Sequence, residues 1–273
     1  MGTTYLRRNR RELMRRPGSA LLASMGWARS GNHILVAAPP KSGSTLLTRL
    51  LCALSSKHEQ AYFLPTTGDR EQLIDESYIY QARHPVKWGV SQQHVRVSNH
   101  LREVCERHKI RPVVLQRNAL DMLVSMRDHL NRPTHYPLPH FSLTYDHWSR
   151  MNERAKAEFL VHYMLPWYVD FSVGWFTAIH GGWNIQVVSY SDVTQGSAHL
   201  QTAVANLGIN ASRDSIRRTL ETLGPRETNM NIGKPGRGEE LQDLLPTARD
   251  EVTKLLELQP PALQGYLHTY LLG

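Results

Sequence analysis

The segment that most constrains this chain is a buried-strand pattern that runs into a turn and then directly into a helix. His33-Ile34-Leu35-Val36-Ala37-Ala38 is a short, nearly unbroken apolar run that stops at Pro39-Pro40. Runs of this kind suit strands covered on both faces, the usual condition in parallel sheets. Beyond the turn, Leu46, Leu47, Leu50, Leu51 and Leu54 recur at the spacing of one helix face. Pro112-Val113-Val114-Leu115 and Ile185 to Tyr190 repeat the strand type, and Trp88 to Val95 reads as a shorter strand leading into a loop. After the second run, Leu120, Leu123, Val124 and Leu130 mark a helix, with Asn118 as its N-cap and Asp121 favourable in its first turn. Strands alternating with helices imply an α/β fold of three layers, a central and mostly parallel sheet flanked by helices.

Composition agrees with a packed core. Of 273 residues 41% are hydrophobic and 21% charged, which excludes a disordered or collagen-like chain. That length holds one large domain or two small ones. No internal repeat, low-complexity linker or boundary divides it, so one domain over residues 31–273 is expected, preceded by a basic segment over residues 1–30. Lys and Arg number 32 against 24 Asp and Glu, which favours an anionic partner: nucleotide, nucleic acid, anionic glycan or membrane surface. Six arginines between Arg7 and Arg16 face only Glu12, and the run that follows is too weakly apolar for a signal peptide. It reads as a basic surface helix touching anionic lipid or an anionic substrate, or as a solvated arm. Phe159 to Ile179 is long enough to span a bilayer but contains His162, Pro166, Asp170 and Gly174. Two buried helical pieces bent near Pro166 fit it better, and a soluble, cytoplasmic protein is expected. Asn131 to His147 reads as a Pro- and His-rich loop, and Leu241 to Leu272 as helix interrupted at Pro260-Pro261. Cys52 and Cys105 form no metal or redox spacing.

The turn itself, Ala38-Pro39-Pro40-Lys41-Ser42-Gly43-Ser44-Thr45, carries the chemistry. A strand, a tight turn at Gly43 and a helix start aim successive backbone N–H groups at one point, and the helix dipole adds to their pull on a phosphate. Lys41 supplies a point charge; Ser44 and Thr45 supply hydroxyls. The nucleotide-binding pattern GxxxxGK[ST] places its lysine after the second glycine, whereas Lys41 precedes the only glycine here, which disfavours an ordinary ATPase or GTPase. Taken alone, the loop is equally a plain strand-to-helix turn with a surface lysine.

A second segment breaks the tie. Pro40-Lys41-Ser42-Gly43-Ser44-Thr45 resembles the PKSGTT loop of sulfotransferases that use 3′-phosphoadenosine 5′-phosphosulfate (PAPS), although Leu46 stands where tryptophan usually follows. Arg117-Asn118-Ala119-Leu120-Asp121-Met122-Leu123-Val124-Ser125 resembles the family's second signature, with Arg117, Asp121 and Ser125 at the family's spacing. Asn231-Ile232-Gly233-Lys234-Pro235-Gly236-Arg237-Gly238 is similar to the family's RKGxxG loop: Gly233 and Gly236 align, while Asn231 and Ile232 replace Arg and Lys. The resemblance runs from about His33 to Leu130 and returns weakly near Val187–Val193 and Asn231–Leu241.

The resemblance implies a P-loop-like fold and sulfuryl transfer from PAPS to a hydroxyl or amine acceptor, leaving the product PAP, with no metal. It places Pro40, Lys41, Ser42, Gly43, Ser44 and Thr45 at the 5′-phosphosulfate and Arg117 and Ser125 at the 3′-phosphate. Gly233, with Lys234 and Arg237 supplying charge, belongs to the loop that closes over the nucleotide. In-line transfer needs a charge on the leaving oxygen, for which Lys41 is placed, and a base for the acceptor. His94 lies between the two signatures where the family keeps its histidine, with Gln92 in place of the lysine of its KxH pattern. His100, His135, His140 and His147 have weaker claims. The aromatic residues Trp148, Tyr163, Trp167, Tyr168, Phe171, Trp175 and Phe176 wall an acceptor pocket or fill the core. The acceptor is a small molecule, a lipid or a glycan; no nucleic acid is expected. A small-molecule kinase and a catalytically silent nucleotide- or glycan-binding module are the alternatives, and the position of Lys41 and the Arg117/Ser125 pair weigh against the kinase.

Overall fold

The computed structural model describes residues 33–55, 59–60, 89–132, 143–224 and 236–273. The basic segment over residues 1–30 therefore lies outside the described residues. The chain runs through β1 (His33–Ala37), α1 (Ser44–Leu54), β2 (Glu59–Gln60), β3 (Gly89–Gln93), α2 (Asn99–His108) and β4 (Ile110–Gln116). It continues with α3 (Ala119–Leu130), α4 (Tyr145–Arg150), α5 (Glu153–Tyr163), α6 (Leu165–His180) and β5 (Gln186–Ser189). The remaining helices are α7 (Tyr190–Gln195), α8 (Ala198–Asn206), α9 (Arg213–Thr222), α10 (Gly238–Leu244), α11 (Ala248–Glu257) and α12 (Pro261–Leu271).

The strands form a five-stranded sheet in the order β2-β3-β1-β4-β5, and every pairing is parallel. β1 is central and buried along its whole length. Its alternate residues serve the two faces. Ile34 and Val36, with Val113 and Leu115 of β4, pack with Leu47, Leu50 and Leu51 of α1 and with Leu200 and Val204 of α8. Leu35, Ala37 and Val114 pack on the other face against Leu101 and Val104 of α2 and Phe171 and Trp175 of α6. Both faces are covered, which is why these strands read as continuous apolar runs. A further core joins α3, α5 and α6 to α10, α11 and α12 through Leu123, Leu160, Tyr168, Leu241, Val252 and Leu267.

Most expected elements form where the residues place them. Asn118 caps α3, its side chain accepting from the N–H groups of Leu120 and Asp121. The Phe159–Ile179 stretch is two helices parted at Met164, with Pro166 in the first turn of α6, where its missing N–H costs nothing. Among the described residues no helix is long and apolar enough to cross a membrane. Two boundaries differ from the expectation. Tyr190 opens α7 instead of ending β5, because Ser189 and Asp192 form a reciprocal capping box that turns the chain into a helix. The C-terminal region breaks between α10 and α11 as well as before α12.

The strand order positions the site. From β1 the chain moves toward the β3 side of the sheet, and from β4 it moves toward β5. The carboxyl ends of β1 and β4 therefore diverge into a crevice, the place where open α/β sheets bind ligands.

Candidate active site

The loop after β1 fills one lip of this crevice. Gly43 occupies the N-cap of α1 at φ 98, a left-handed conformation open to glycine, and no side chain caps the helix. The first-turn N–H groups of α1 are thus left without a side-chain acceptor, and they aim the positive end of the helix dipole outward. Lys41 is itself left-handed at φ 67, an uncommon state for a residue with a Cβ. Ser42 is buried and donates from Oγ to the Pro39 carbonyl at 2.7 Å, which tightens the turn. Behind the turn stands Tyr190: a Cβ added to Gly43 would come within 2.6 Å of its ring. Glycine is therefore required here for conformation and for space.

The electrostatics of Lys41 follow from its neighbours. Burial, then the charges of Arg132 and Arg117, pull its pKa down to about 8, and Asp128 opposes them. His129 is depressed to about 4 by burial, Lys41 and Arg132, so it is neutral at neutral pH. Lys41 is thus a cation held against desolvation and repulsion, which an arriving anion relieves.

β3, beside β1, supports the same lip. Gln92, the residue at the family's lysine position, is buried, and its Nε2 donates to Ser44 Oγ at 2.6 Å. Its Oε1 accepts from Thr45 Oγ1 at 3.4 Å. Because Ser44 Oγ accepts from Gln92, its own proton points elsewhere and is free to donate to a ligand. Gln92 thus orders the loop hydroxyls without adding charge. His94 lies just past β3, half-buried, with Nδ1 2.6 Å from the Ala38 carbonyl oxygen. A carbonyl only accepts, so Nδ1 carries a proton. The Ala38 N–H donates to the Gln93 carbonyl at 3.1 Å, which straps the loop to β3.

Across the crevice, Arg117 ends β4. Its Nη1 donates to the Lys41 carbonyl at 3.1 Å, its guanidinium carbon lies 4.1 Å above the Tyr190 ring centroid, and its Nη2 is 3.7 Å from Asp121 Oδ2. Ser125 follows Asp121 by one helical turn on α3 and is half-buried, with no hydrogen-bond partner for its hydroxyl among the described residues. Asp121 is buried and accepts from the Gly236 N–H at 2.9 Å and the Gly238 N–H at 2.8 Å. Arg237, between those glycines, donates from Nη1 to Asp128 at 2.6 Å and from Nε to Glu240 at 2.6 Å. Its guanidinium thus fastens α10 to α3.

The described candidates Lys41, Ser42, Gly43, Ser44, Thr45, His94, Arg117 and Ser125 thus sit on elements that border one crevice. Pro40 is buried in the turn. Gly233 and Lys234 lie outside the described residues, as do His135 and His140. His100 and His147 are exposed on α2 and α4. Of the aromatic candidates, Trp148, Tyr168, Phe171, Trp175 and Phe176 are buried in the cores, and Tyr163 is exposed. One residue escaped the sequence reading of the site: Tyr190 reads as strand. Asp121 reads as part of the second signature and as a favourable first-turn charge, but its bonds to Gly236 and Gly238 are not legible in the sequence. The one available signal for Tyr190 was an aromatic ring at the carboxyl end of the third apolar run.

Comparison with known proteins gives the family and the fold. The sulfotransferase domain family model matches residues 31–223. The crystal structure of mouse sulfotransferase SULT7A1 complexed with PAP superposes with a TM-score of 0.60 at 15% identity, covering 88% of this chain and 89% of that one. Retinol dehydratase in complex with androsterone and inactive cofactor PAP gives 0.52 at 15% identity, covering 85% and 83%. No curated protein sequence matches significantly. With the family model spanning both the loop after β1 and the Arg117–Ser125 segment, the chain belongs to the sulfotransferase family and is a sulfotransferase.

Proposed function

We propose that the crevice between β1 and β4 binds PAPS with its 5′ end on the Lys41 loop and its 3′-phosphate toward Arg117 and Ser125, and that His94 is the base for a hydroxyl acceptor. The residues present suit such a ligand: a helix start with no side-chain cap, a lysine destabilised until an anion arrives, and a second cation across the crevice with the half-buried Ser125 hydroxyl eight residues on. When bound, PAPS supplies the activated sulfuryl group. The chain's part is to hold and polarise. The α1 amides, Ser44 and Thr45 grip the 5′-phosphate, and Lys41 meets charge that grows on the leaving oxygen. The Arg117 guanidinium is planar and forked and suits a phosphate. His94 takes the acceptor proton at Nε2, and the Nδ1–H bond to Ala38 orients the ring.

The observation that carries this reading is the Arg117 Nη1 bond to the Lys41 carbonyl, which joins the two family signatures across the crevice. The acceptor class stays as broad as a small molecule, a lipid or a glycan. One neighbouring retinol dehydratase structure holds retinol and PAP, at a TM-score of 0.50 and 16% identity over 84% of this chain and 82% of that one. Calorimetric titration with PAP and with AMP tests the cofactor assignment. A charge-assisted hydrogen bond is worth about 1.5–3 kcal/mol, so PAP is expected to bind at least about tenfold more tightly than AMP. Equal affinities would overturn the 3′-phosphate assignment.

A further inference from the structure

Three segments far apart in sequence are linked through Asp121 and Arg117. Asp121 Oδ2 accepts from the Gly236 N–H, and Asp121 Oδ1 accepts from the Gly238 N–H, at 2.9 and 2.8 Å. The same Oδ2 lies 3.7 Å from Arg117 Nη2, with both side chains nearly buried. Arg117 in turn donates to the Lys41 carbonyl at 3.1 Å. The chain of contacts thus runs from the C-terminal glycine segment, through Asp121 and Arg117, to the loop after β1.

We infer that Asp121 is a positioning residue that sets the C-terminal glycine segment and Arg117 in register with each other, and so shapes the 3′-phosphate end of the proposed nucleotide site. The fit is too close to be incidental. A carboxylate that accepts two backbone N–H groups from residues i and i+2 fixes both the position and the direction of that backbone. Gly238 is pressed so near α3 that an added Cβ would lie 2.7 Å from Leu120 Cβ. Gly236 has φ +79 and so needs the freedom of glycine. One helical stripe does the work: Asp121, Ser125 and Asp128 are spaced i, i+4 and i+7 on α3. Asp121 takes the backbone of the glycine segment and Asp128 takes the Arg237 guanidinium at 2.6 Å, so Ser125 lies between the two points of attachment. Arg127 adds a bond to Glu240 at 2.8 Å from the next position of the helix. The carboxylate itself has no call to touch phosphate. It acts through Arg117 and the two glycine amides.

This inference rests on the assignment of Arg117 and Ser125 to the 3′-phosphate, and its test separates the two. Calorimetry with PAP and AMP is run on the wild type, Asp121→Asn and Gly238→Ala, with melting temperatures measured alongside. Asparagine keeps the size of the side chain but loses one acceptor and the charge. Gly238→Ala leaves the carboxylate intact and lifts the segment from α3. Both variants are expected to lose at least tenfold in PAP affinity while AMP affinity stays within twofold, so that the gap between the two ligands closes. Asp121→Glu is expected to restore only part of the gap, because its longer arm displaces both contacts. A wild type that fails to distinguish PAP from AMP overturns the parent assignment. A wild-type gap that persists in folded Asp121→Asn or Gly238→Ala overturns the positioning role. If Asp121→Asn does not fold, Gly238→Ala decides alone. Parallel losses of PAP and AMP affinity mark a general structural defect and likewise overturn it.

Discussion

The two lips of the crevice are built on different plans. The β1 side is local: Pro39 to Thr45 are consecutive, and backbone amides, one lysine and two hydroxyls converge because a strand, a turn and a helix follow each other. Gln92, His94 and Tyr190 join it from elsewhere in the chain. The β4 side is assembled: Arg117, Asp121, Ser125 and Asp128 become a site only when residues 236 to 238, more than a hundred positions along, dock on α3. A local site resists damage elsewhere in the fold and suits the reacting centre, where sub-ångström placement governs rate. An assembled site depends on docking and suits the discrimination of one ligand from another. In this reading the first lip governs turnover and the second governs recognition.

The largest effect expected from that contrast belongs to His94. His94→Ala is expected to lower kcat for a hydroxyl acceptor by about 10²–10⁴-fold, the usual contribution of a general base, with PAP affinity nearly unchanged. Single-turnover kinetics beside calorimetry measure both. Retained turnover would move the base elsewhere and break the contrast at its strongest point.

Arg117→Ala comes next. It is expected to remove most of the PAP–AMP gap, a change of about tenfold or more, while AMP affinity moves little. Because Arg117 also holds the Lys41 carbonyl, a smaller fall in kcat should accompany it. If the fall in kcat exceeds the fall in PAP affinity, the two lips are not separable and the comparison fails.

The smallest effect is a pH dependence. In the free protein, burial and the charges of Arg132 and Arg117 pull the Lys41 pKa down to about 8. Below pH 8 it is charged before and after an anion binds, so binding is independent of this group. Above pH 8 the free lysine is neutral, and a bound phosphate raises its pKa again, so binding takes up a proton. PAP affinity is therefore expected to fall with rising pH above 8, by at most about tenfold per unit for one proton. Titration in two buffers of different ionisation enthalpy counts the proton. Lys41→Met should abolish that uptake; proton uptake unchanged in Lys41→Met would assign it to another group.

Legibility in the sequence followed the same division. The Asn118 cap and the Lys41 turn were readable because each interaction closes within a few residues, where spacing alone fixes geometry. Gln92 was readable as a departure from the family's lysine, but not as the tether of Ser44 and Thr45, since nothing near it in the chain names those partners. Arg237 shows the limit most plainly. A cation beside a glycine loop names no protein partner by itself, and only the fold sets its guanidinium against Asp128 and Glu240. The aromatic stretch from Phe159 to Phe176 left pocket and core undecided, and the fold assigned most of it to core.

By itself, then, the sequence determined the alternating α/β order, the mostly parallel sheet and the tight turn at Lys41 to Gly43, because burial pattern, helix spacing and turn chemistry act between near neighbours. Only the tertiary structure decided that Tyr190 backs Gly43, that His94 carries a proton on Nδ1 and that Asp121 receives Gly236 and Gly238. Those are contacts between segments whose separation along the chain carries no geometric information until the sheet order and the packing of the helices bring them together.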